Sequence, residues 1–183
     1  AGAGARVAGM EPTRINAHLT LREYRGGIRY GTDALLLASF VRGGRRARGA
    51  DLGTGCGVIP LLLLVSGRCG EARGFEVQAE YAALAAENAR DNGLDGRFAV
   101  VQGDIRSIGR LCPAGWADYV TANPPYLRAD CGGRNADFVK YAAFHEHFGD
   151  IDDFARAAAY LLGTGGVFDA VYRPDRPARL LTA

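Results

Sequence analysis

The stretch Asp51-Leu52-Gly53-Thr54-Gly55-Cys56-Gly57 decides the fold. Gly49 to Leu52 reads as a short strand ahead of it, and the apolar run from Val58 to about Ser66 reads as a helix behind it. Three alternating glycines between a strand and a helix let the backbone turn sharply and come close to a ligand. The helix start then offers unpaired amides and the positive end of its dipole. The spacing is G-x-G-x-G. It is neither the dinucleotide G-x-G-x-x-G nor a phosphate-binding loop, because no Gly-Lys-Ser/Thr follows. An acid directly before the loop disfavours a pyrophosphate and tolerates a cationic ligand. A bare strand-to-helix turn has the same composition, so the loop gains meaning only from the strand ends that follow.

Those ends repeat a pattern. A second strand closes at Gly74-Phe75-Glu76-Val77, 25 residues after Asp51, and an acid there can accept both hydroxyls of a ribose. Ala79 to Asn92 has helical spacing, with Gly93 as its cap. A third strand, Phe98 to Val101, runs to Gly103-Asp104-Ile105, where the acid can accept from an adenine amino group and Ile105 can pack on the ring. A fourth, Trp116 to Thr121, leads into Asn123-Pro124-Pro125-Tyr126. A helix over Ile151 to Leu162 and a fifth strand over Gly166 to Tyr172 complete the alternation. Strand alternating with helix predicts an α/β, doubly wound, mostly parallel sheet with helices on both faces. Ligands bind such sheets at the carboxyl edge, where Asp51, Glu76 and Asp104 would stand in a row.

Asn123-Pro124-Pro125-Tyr126 carries the second chemistry. Two prolines stiffen the chain and remove two N–H donors, leaving carbonyls free to accept. The Asn123 side chain adds an amide oxygen, and Tyr126 supplies a ring to stack on a flat base. Such a box suits an amino group attached to a ring, whose lone pair is delocalised. Accepting both its hydrogens, from Asn123 and the Pro124 carbonyl, frees that lone pair for attack without a strong base. The alternative is a proline-stiffened loop.

The N-terminal part differs. His18 to Arg22 and Ile28 to Tyr30 flank Gly26-Gly27 and suggest a hairpin. Thr32-Asp33 would cap a helix over Ala34 to Val41. Residues 1–17 are expected to be a tag or disordered extension, 18–47 a hairpin-and-helix lid, and 48–183 the sheet domain. The basic loop Arg42-Gly43-Gly44-Arg45-Arg46-Ala47-Arg48 is either a contact for nucleic-acid phosphates or a solvated turn. His145-Glu146-His147 lacks metal-ligand spacing, and residues 127–140 are either a lid or plain loop.

Across 183 residues, 48% are apolar and 23% charged, which suits one globular domain. The net charge is +2, with arginine supplying all but one of the 22 basic residues. Charge therefore does not by itself point to nucleic acid. The four cysteines, Cys56, Cys69, Cys112 and Cys131, are too scattered for zinc and are expected as free thiols. No apolar run reaches membrane-spanning length and no leader is visible, so a cytoplasmic protein without membrane or metal partners is expected, as monomer or weak dimer.

Asp51 to Gly57 resembles motif I of class I, Rossmann-like methyltransferases, and Asn123 to Tyr126 resembles their motif IV, the signature of enzymes that methylate adenine, cytosine or glutamine nitrogens. More narrowly the chain resembles the bacterial valine-tRNA adenine-N6 methyltransferases, in Arg29 to Ala38, Asp51 to Leu63, Phe144-His145-Glu146, Asp152-Asp153-Phe154 and Tyr172 to Arg176. The resemblance implies S-adenosylmethionine as cofactor and an RNA adenine, in tRNA, as target. It implies that Tyr30, Thr32 and Asp33 stand near the methionine end of the cofactor. Asp51, Gly53, Thr54, Gly55 and Gly57 would surround it, with Glu76, Asp104 and Ile105 on its nucleoside. Asn123, Pro124, Pro125 and Tyr126 would be catalytic, Asn123 also facing the cofactor. The superfamily usually closes its sheet with an antiparallel pair after the fifth strand, for which the residues after Arg173 leave little chain. Glutamine methylation of a release factor uses a similar box. DNA adenine methylation and a non-catalytic cofactor-binding domain complete the alternatives.

Overall fold

Strands too short and too apolar to stand alone, each followed by a helix, pair most readily side by side and parallel, with the helices returning across the faces. The computed structural model describes residues 12–24, 30–124 and 149–172. In chain order the elements are β1 (Thr13–Asn16), β2 (Leu19–Leu21), α1 (Thr32–Phe40), β3 (Arg48–Leu52), α2 (Val58–Val65), β4 (Glu71–Glu76) and α3 (Ala79–Asp91). Then come β5 (Phe98–Gln102), a 3-10 turn (Ile105–Ser107), α4 (Ile108–Leu111), β6 (Ala117–Ala122), α5 (Ile151–Leu161) and β7 (Leu162–Ala170). Five strands form one parallel sheet in the order β5-β4-β3-β6-β7. The α/β, doubly wound expectation holds.

The strand pleat assigns residues to faces. Asp51, Gly74 and Thr121 stand level on β3, β4 and β6 and face the same way. On that face α1, α2 and α3 pack through Leu37, Leu61, Leu63, Leu64 and Leu84, with Phe98 of β5 in the same cluster. The opposite face, with Leu52, Phe75 and Val120, is covered by α4 and α5 through Ile108, Phe154 and Leu161. α5 starts on a capping box in which Asp150 accepts from the Asp153 amide and Asp153 accepts from the Asp150 amide.

Three expectations fare differently, and the last two are corrected. The hairpin expected around Gly26-Gly27 lies partly outside the described residues; ahead of it β1 and β2 pair antiparallel, with the Asn16 side chain accepting the His18 amide at 2.8 Å in the turn. This pair begins inside the stretch expected to be an extension, while residues 25–29 lie outside the described residues. β2 is then held by two asparagines one turn apart at the end of α3. Asn92 exchanges hydrogen bonds with both backbone groups of Thr20, at 3.0 and 2.7 Å, and Asn88 does the same for Arg22, at 2.8 and 3.2 Å. The two amides stand in for a neighbouring strand. Second, α1 begins after Gly31 with no side-chain cap, because Thr32 and Asp33 stand exposed in its first turn. Third, β7 starts at Leu162 rather than Gly166 and bulges where Leu162 to Val167 oppose only Ala117 to Tyr119.

Candidate active site

The chain leaves β3 in one direction to build β4 and β5, and in the other to build β6 and β7. The order of the sheet therefore reverses between β3 and β6, the switch point outside whose carboxyl ends open α/β sheets bind their ligands in a crevice. The glycine loop rises from β3 on one side of it and Asn123 leaves β6 on the other.

The loop is fixed by hydrogen bonds to the neighbouring strand. The amides of Gly53 and Thr54 both donate to the Phe75 carbonyl, at 2.9 and 3.1 Å, and the Gly57 amide donates to Thr54 O. Gly57 has φ +84° as the residue before α2, and a side chain there would also strike the Phe98 ring at 2.9 Å. Gly55 is different. Its φ is +56°, and beyond it lies open space, with no atom within 4 Å of where a Cβ would stand.

Glu76 ends β4 and is only 3% exposed. One carboxylate oxygen accepts the Gly55 amide at 2.9 Å and the other the Gln78 amide at 3.0 Å. Burial raises its pKa above the ordinary range, opposed by the amides of Gln78, Gly55 and Val77. Glu76 therefore holds the loop in shape while keeping further lone pairs at the crevice. Gly53, Phe75, Glu76, Val77, Gly103, Asp104, Ile105 and Phe154 line a shallow groove that opens to solvent. Asp104, expected as a free acceptor, is already engaged. It accepts the Arg106 amide at 2.9 Å and pairs with the Arg106 guanidinium through both oxygens, which lowers its pKa. Ile105 is buried and contributes an apolar wall.

Asp51 lies beneath the loop, 3% exposed. Its Oδ1 accepts the Thr121 hydroxyl at 2.6 Å, a bond that joins the strand carrying the loop to the strand carrying Asn123. Burial pushes the Asp51 carboxyl up to about 7 against the pull of that bond. On its other side Gly74 has no side chain, and Thr54 drops into the space, its side chain 2.7 Å from where a Gly74 Cβ would be. The Thr54 hydroxyl is close enough to favour the Asp51 anion but makes no hydrogen bond.

Asn123 and Pro124 follow β6 directly, half-buried, with the Val171 amide closing on Ala122 O beside them at 3.1 Å. Pro125 and Tyr126 lie outside the described residues, as do His145 and the 127–140 loop. α1 runs opposite to the strands. Its C-terminal carbonyls, Ala38 O and Ser39 O, receive Arg68 from the turn leading into β4, so its start, with Tyr30, Thr32 and Asp33, lies toward the carboxyl edge. The Tyr30 amide donates to Glu23 at 3.1 Å.

Three contributors escape a reading of the sequence. Thr121 and Phe154 look there like ordinary strand and helix positions. Asn88, fully buried, also donates to Cys56 O inside the glycine loop at 2.9 Å. The pair of asparagines four apart on an otherwise apolar face is the available signal. Cys56, Cys69 and Cys112 are buried free thiols, and burial pushes Cys56 up to about 12. Among the described residues no helix is long and apolar enough to cross a membrane.

Known proteins resemble the chain over much of its length. The tRNA1(Val) (adenine(37)-N6)-methyltransferase of Phocaeicola vulgatus is 27% identical over 167 residues, 90% of this chain and 68% of that protein. Its counterpart in Pasteurella multocida is 29% identical over 81% of this chain and 62% of that protein. The release factor glutamine methyltransferase of Agrobacterium fabrum is 43% identical, over 46% of this chain and 28% of its own length. The chain thus spans between 28% and 68% of these relatives. Among solved structures, TrmN from Thermus thermophilus matches with TM-score 0.59 and 27% identity, over 82% of this chain and 40% of that one. P. horikoshii TYW2, in complex with MeSAdo, shares the fold with TM-score 0.64 at 14% identity, over 93% of this chain and 57% of that one. The family model of the methyltransferase small domain matches residues 25–173, most of the chain, and the protein belongs to that family.

Proposed function

We propose that the protein transfers a methyl group from S-adenosylmethionine to the 6-amino group of an adenine in RNA, with tRNA as the substrate class. The observation that carries this reading is the pairing of two edges at one crevice. A glycine loop and Glu76 stand on one side and Asn123-Pro124 on the other, with Asp51 and Thr121 bonded between their strands.

The residues fit the cofactor. Open space beyond Gly55 leaves room for a chain to lie against the loop backbone. The groove between Glu76 and Ile105, with a carboxylate at one side and apolar walls at the other, has the chemistry to take a nucleoside. Glu76 accepts from ribose hydroxyls with the lone pairs left by Gly55 and Gln78. Ile105 and Phe154 flank the base, and Asp104, oriented by Arg106, receives from its amino group. Asp51, buried under the loop with its carboxyl pushed up to about 7, would take its ionised form beside a bound ammonium. When bound, the cofactor supplies an electrophilic methyl on a sulfonium. This chain's part is to present the acceptor. The Asn123 amide oxygen and the Pro124 carbonyl accept the two amine hydrogens, turn the nitrogen lone pair toward the loop and hold it there. Tyr126, outside the described residues, would supply an aromatic ring for the base.

Adenine is favoured over glutamine by extent: the tRNA-modifying relatives match 90% and 81% of the chain, the glutamine methyltransferase 46%. The higher identity of that shorter match, 43%, is what keeps a release factor as the second reading. The test is methyl transfer from labelled S-adenosylmethionine with total tRNA and a release factor offered in parallel. Label recovered as 6-methyladenosine is expected. Label on a protein glutamine would replace the proposal with the second reading.

A further inference from the structure

The basic loop lies at the opposite end of the sheet from the crevice, where strands begin rather than end. Residues 42–48 lead into the first residue of β3 and pack against the turn at 67–71 that leads into β4. Gly70 and Glu71 amides both donate to Ala47 O, and the Arg45 guanidinium lies along Gly67. Arg97, just before β5, reaches the same turn and donates to Gly70 O and Cys69 O, at 2.9 and 2.8 Å. Arg68, within the turn, holds the end of α1. One contiguous edge therefore carries Arg42, Arg45, Arg46, Arg68 and Arg97, with Glu71, Asp95 and Asp118 as its carboxylates.

The arginines divide into two sets. Arg48 and Arg73 stack on Trp116, 5.8 and 4.2 Å from its ring centre, and Arg48 also lies 4.0 Å from Asp118. Arg68 and Arg97 spend donors on backbone carbonyls. Arg42, Arg45 and Arg46 are exposed and have no hydrogen-bond or ion-pair partner among the described residues. Beside them, at the end of α1, Phe40 is 71% exposed. Three free guanidinium forks with an exposed aromatic combine phosphate grip and base stacking.

We propose that this amino edge, Arg42, Arg45 and Arg46 with Phe40, is a second RNA contact surface that grips the substrate's phosphate backbone away from the reacting base. It rests on the RNA reading above. Strands of five or six residues set the patch on the order of 20 Å from Asn123, so the RNA must be folded or several nucleotides long to reach both. The phosphate contacts would set affinity and register, and the crevice would choose the base.

The test is binding of fluorescently labelled tRNA by the whole protein and by the Arg42→Gln/Arg45→Gln/Arg46→Gln variant, across a salt series. None of the three side chains holds the fold together, and unchanged affinity for S-adenosylhomocysteine with an unchanged melting curve checks this. The variant is expected to bind tRNA at least tenfold more weakly. The slope of log affinity against log salt should fall by about 2 to 3, at roughly 0.7–0.9 for each phosphate no longer neutralised. Phe40→Ala should weaken binding a few-fold without changing the slope. Unchanged affinity and slope in the triple variant overturn the proposal. So does a triple variant that binds tRNA as wild type does but no longer binds phosphatidylglycerol vesicles. If wild type binds tRNA through the patch but methylates no adenine, the surface stands and the adenine reading falls. If it methylates tRNA and the triple variant binds like wild type, the reverse holds. Wild type without salt-dependent tRNA binding overturns both.

Discussion

The two ends of the same parallel sheet carry opposite chemistry. At the carboxyl edge stand carboxylates: Asp51 and Glu76 buried with raised pKa values, and Asp104 half-exposed and paired with Arg106. At the amino edge stand arginines, three of them facing water without partners among the described residues. The contrast teaches where each kind of charge has a use. Strand ends that open into a crevice bury acids under loop amides, which costs desolvation and is offset by hydrogen bonds. Strand beginnings that open onto bulk water tolerate bare cations.

The sharpest way to break the contrast is at Asn123. Asn123→Ala removes an acceptor at the carboxyl edge alone, and turnover should fall by about 10^2- to 10^3-fold while S-adenosylhomocysteine affinity stays within a few-fold. Calorimetry beside a transfer assay separates the two. Retained turnover would remove the amine-clamping role.

Asp51 gives the next largest effect, read in stability. Its folded pKa, about 7, lies above the roughly 3.9 of an exposed aspartate. The folded state therefore holds a proton that the unfolded state has lost. This contribution is full below about pH 4, declines as pH rises through about 7, and is gone above it. About three pKa units correspond to at most on the order of 4 kcal/mol. Asp51→Asn keeps an acceptor for Thr121 and should flatten the stability profile between about pH 4 and 7. A denaturant series at each pH reads it, and an equal slope in both proteins contradicts the assignment.

How much of this is legible in the sequence follows from the range of the contacts. The βα alternation and the glycine loop are written in neighbouring residues, and so is the placement of Asn123 at a strand end. The turn at 17–18 is missed in the sequence because its signal is a single Asn16 side chain, while the turn expected at Gly26-Gly27 lies outside the described residues. What secures β2 is a pair of asparagines 66 and 72 residues away, which no local pattern announces. The Asp51–Thr121 bond spans 70 residues and is equally invisible. The engagement of Asp104 is legible, since Arg106 stands two residues on, yet the acid reads first as a free acceptor.

Asn88→Ala tests that long-range clip. It strips partners from the Arg22 backbone and from Cys56 O, and should destabilise by about 2–3 kcal/mol, lowering the melting temperature by several degrees. A change below about 0.5 kcal/mol would show that β2 holds without it. The smallest effect belongs to Arg106→Ala, which frees Asp104 and removes a half-exposed ion pair. Its stability change should stay under about 1 kcal/mol, measured by the same denaturant titration. A larger loss would mean the 3-10 turn depends on that pair.

The most direct test of the central claim, that the carboxyl edge between β3 and β6 is the catalytic end, is a crystal structure with S-adenosylhomocysteine. The account predicts its ribose on Glu76, its base between Ile105 and Phe154, and its sulfur facing Asn123. Density at any other surface, the amino edge included, would contradict it.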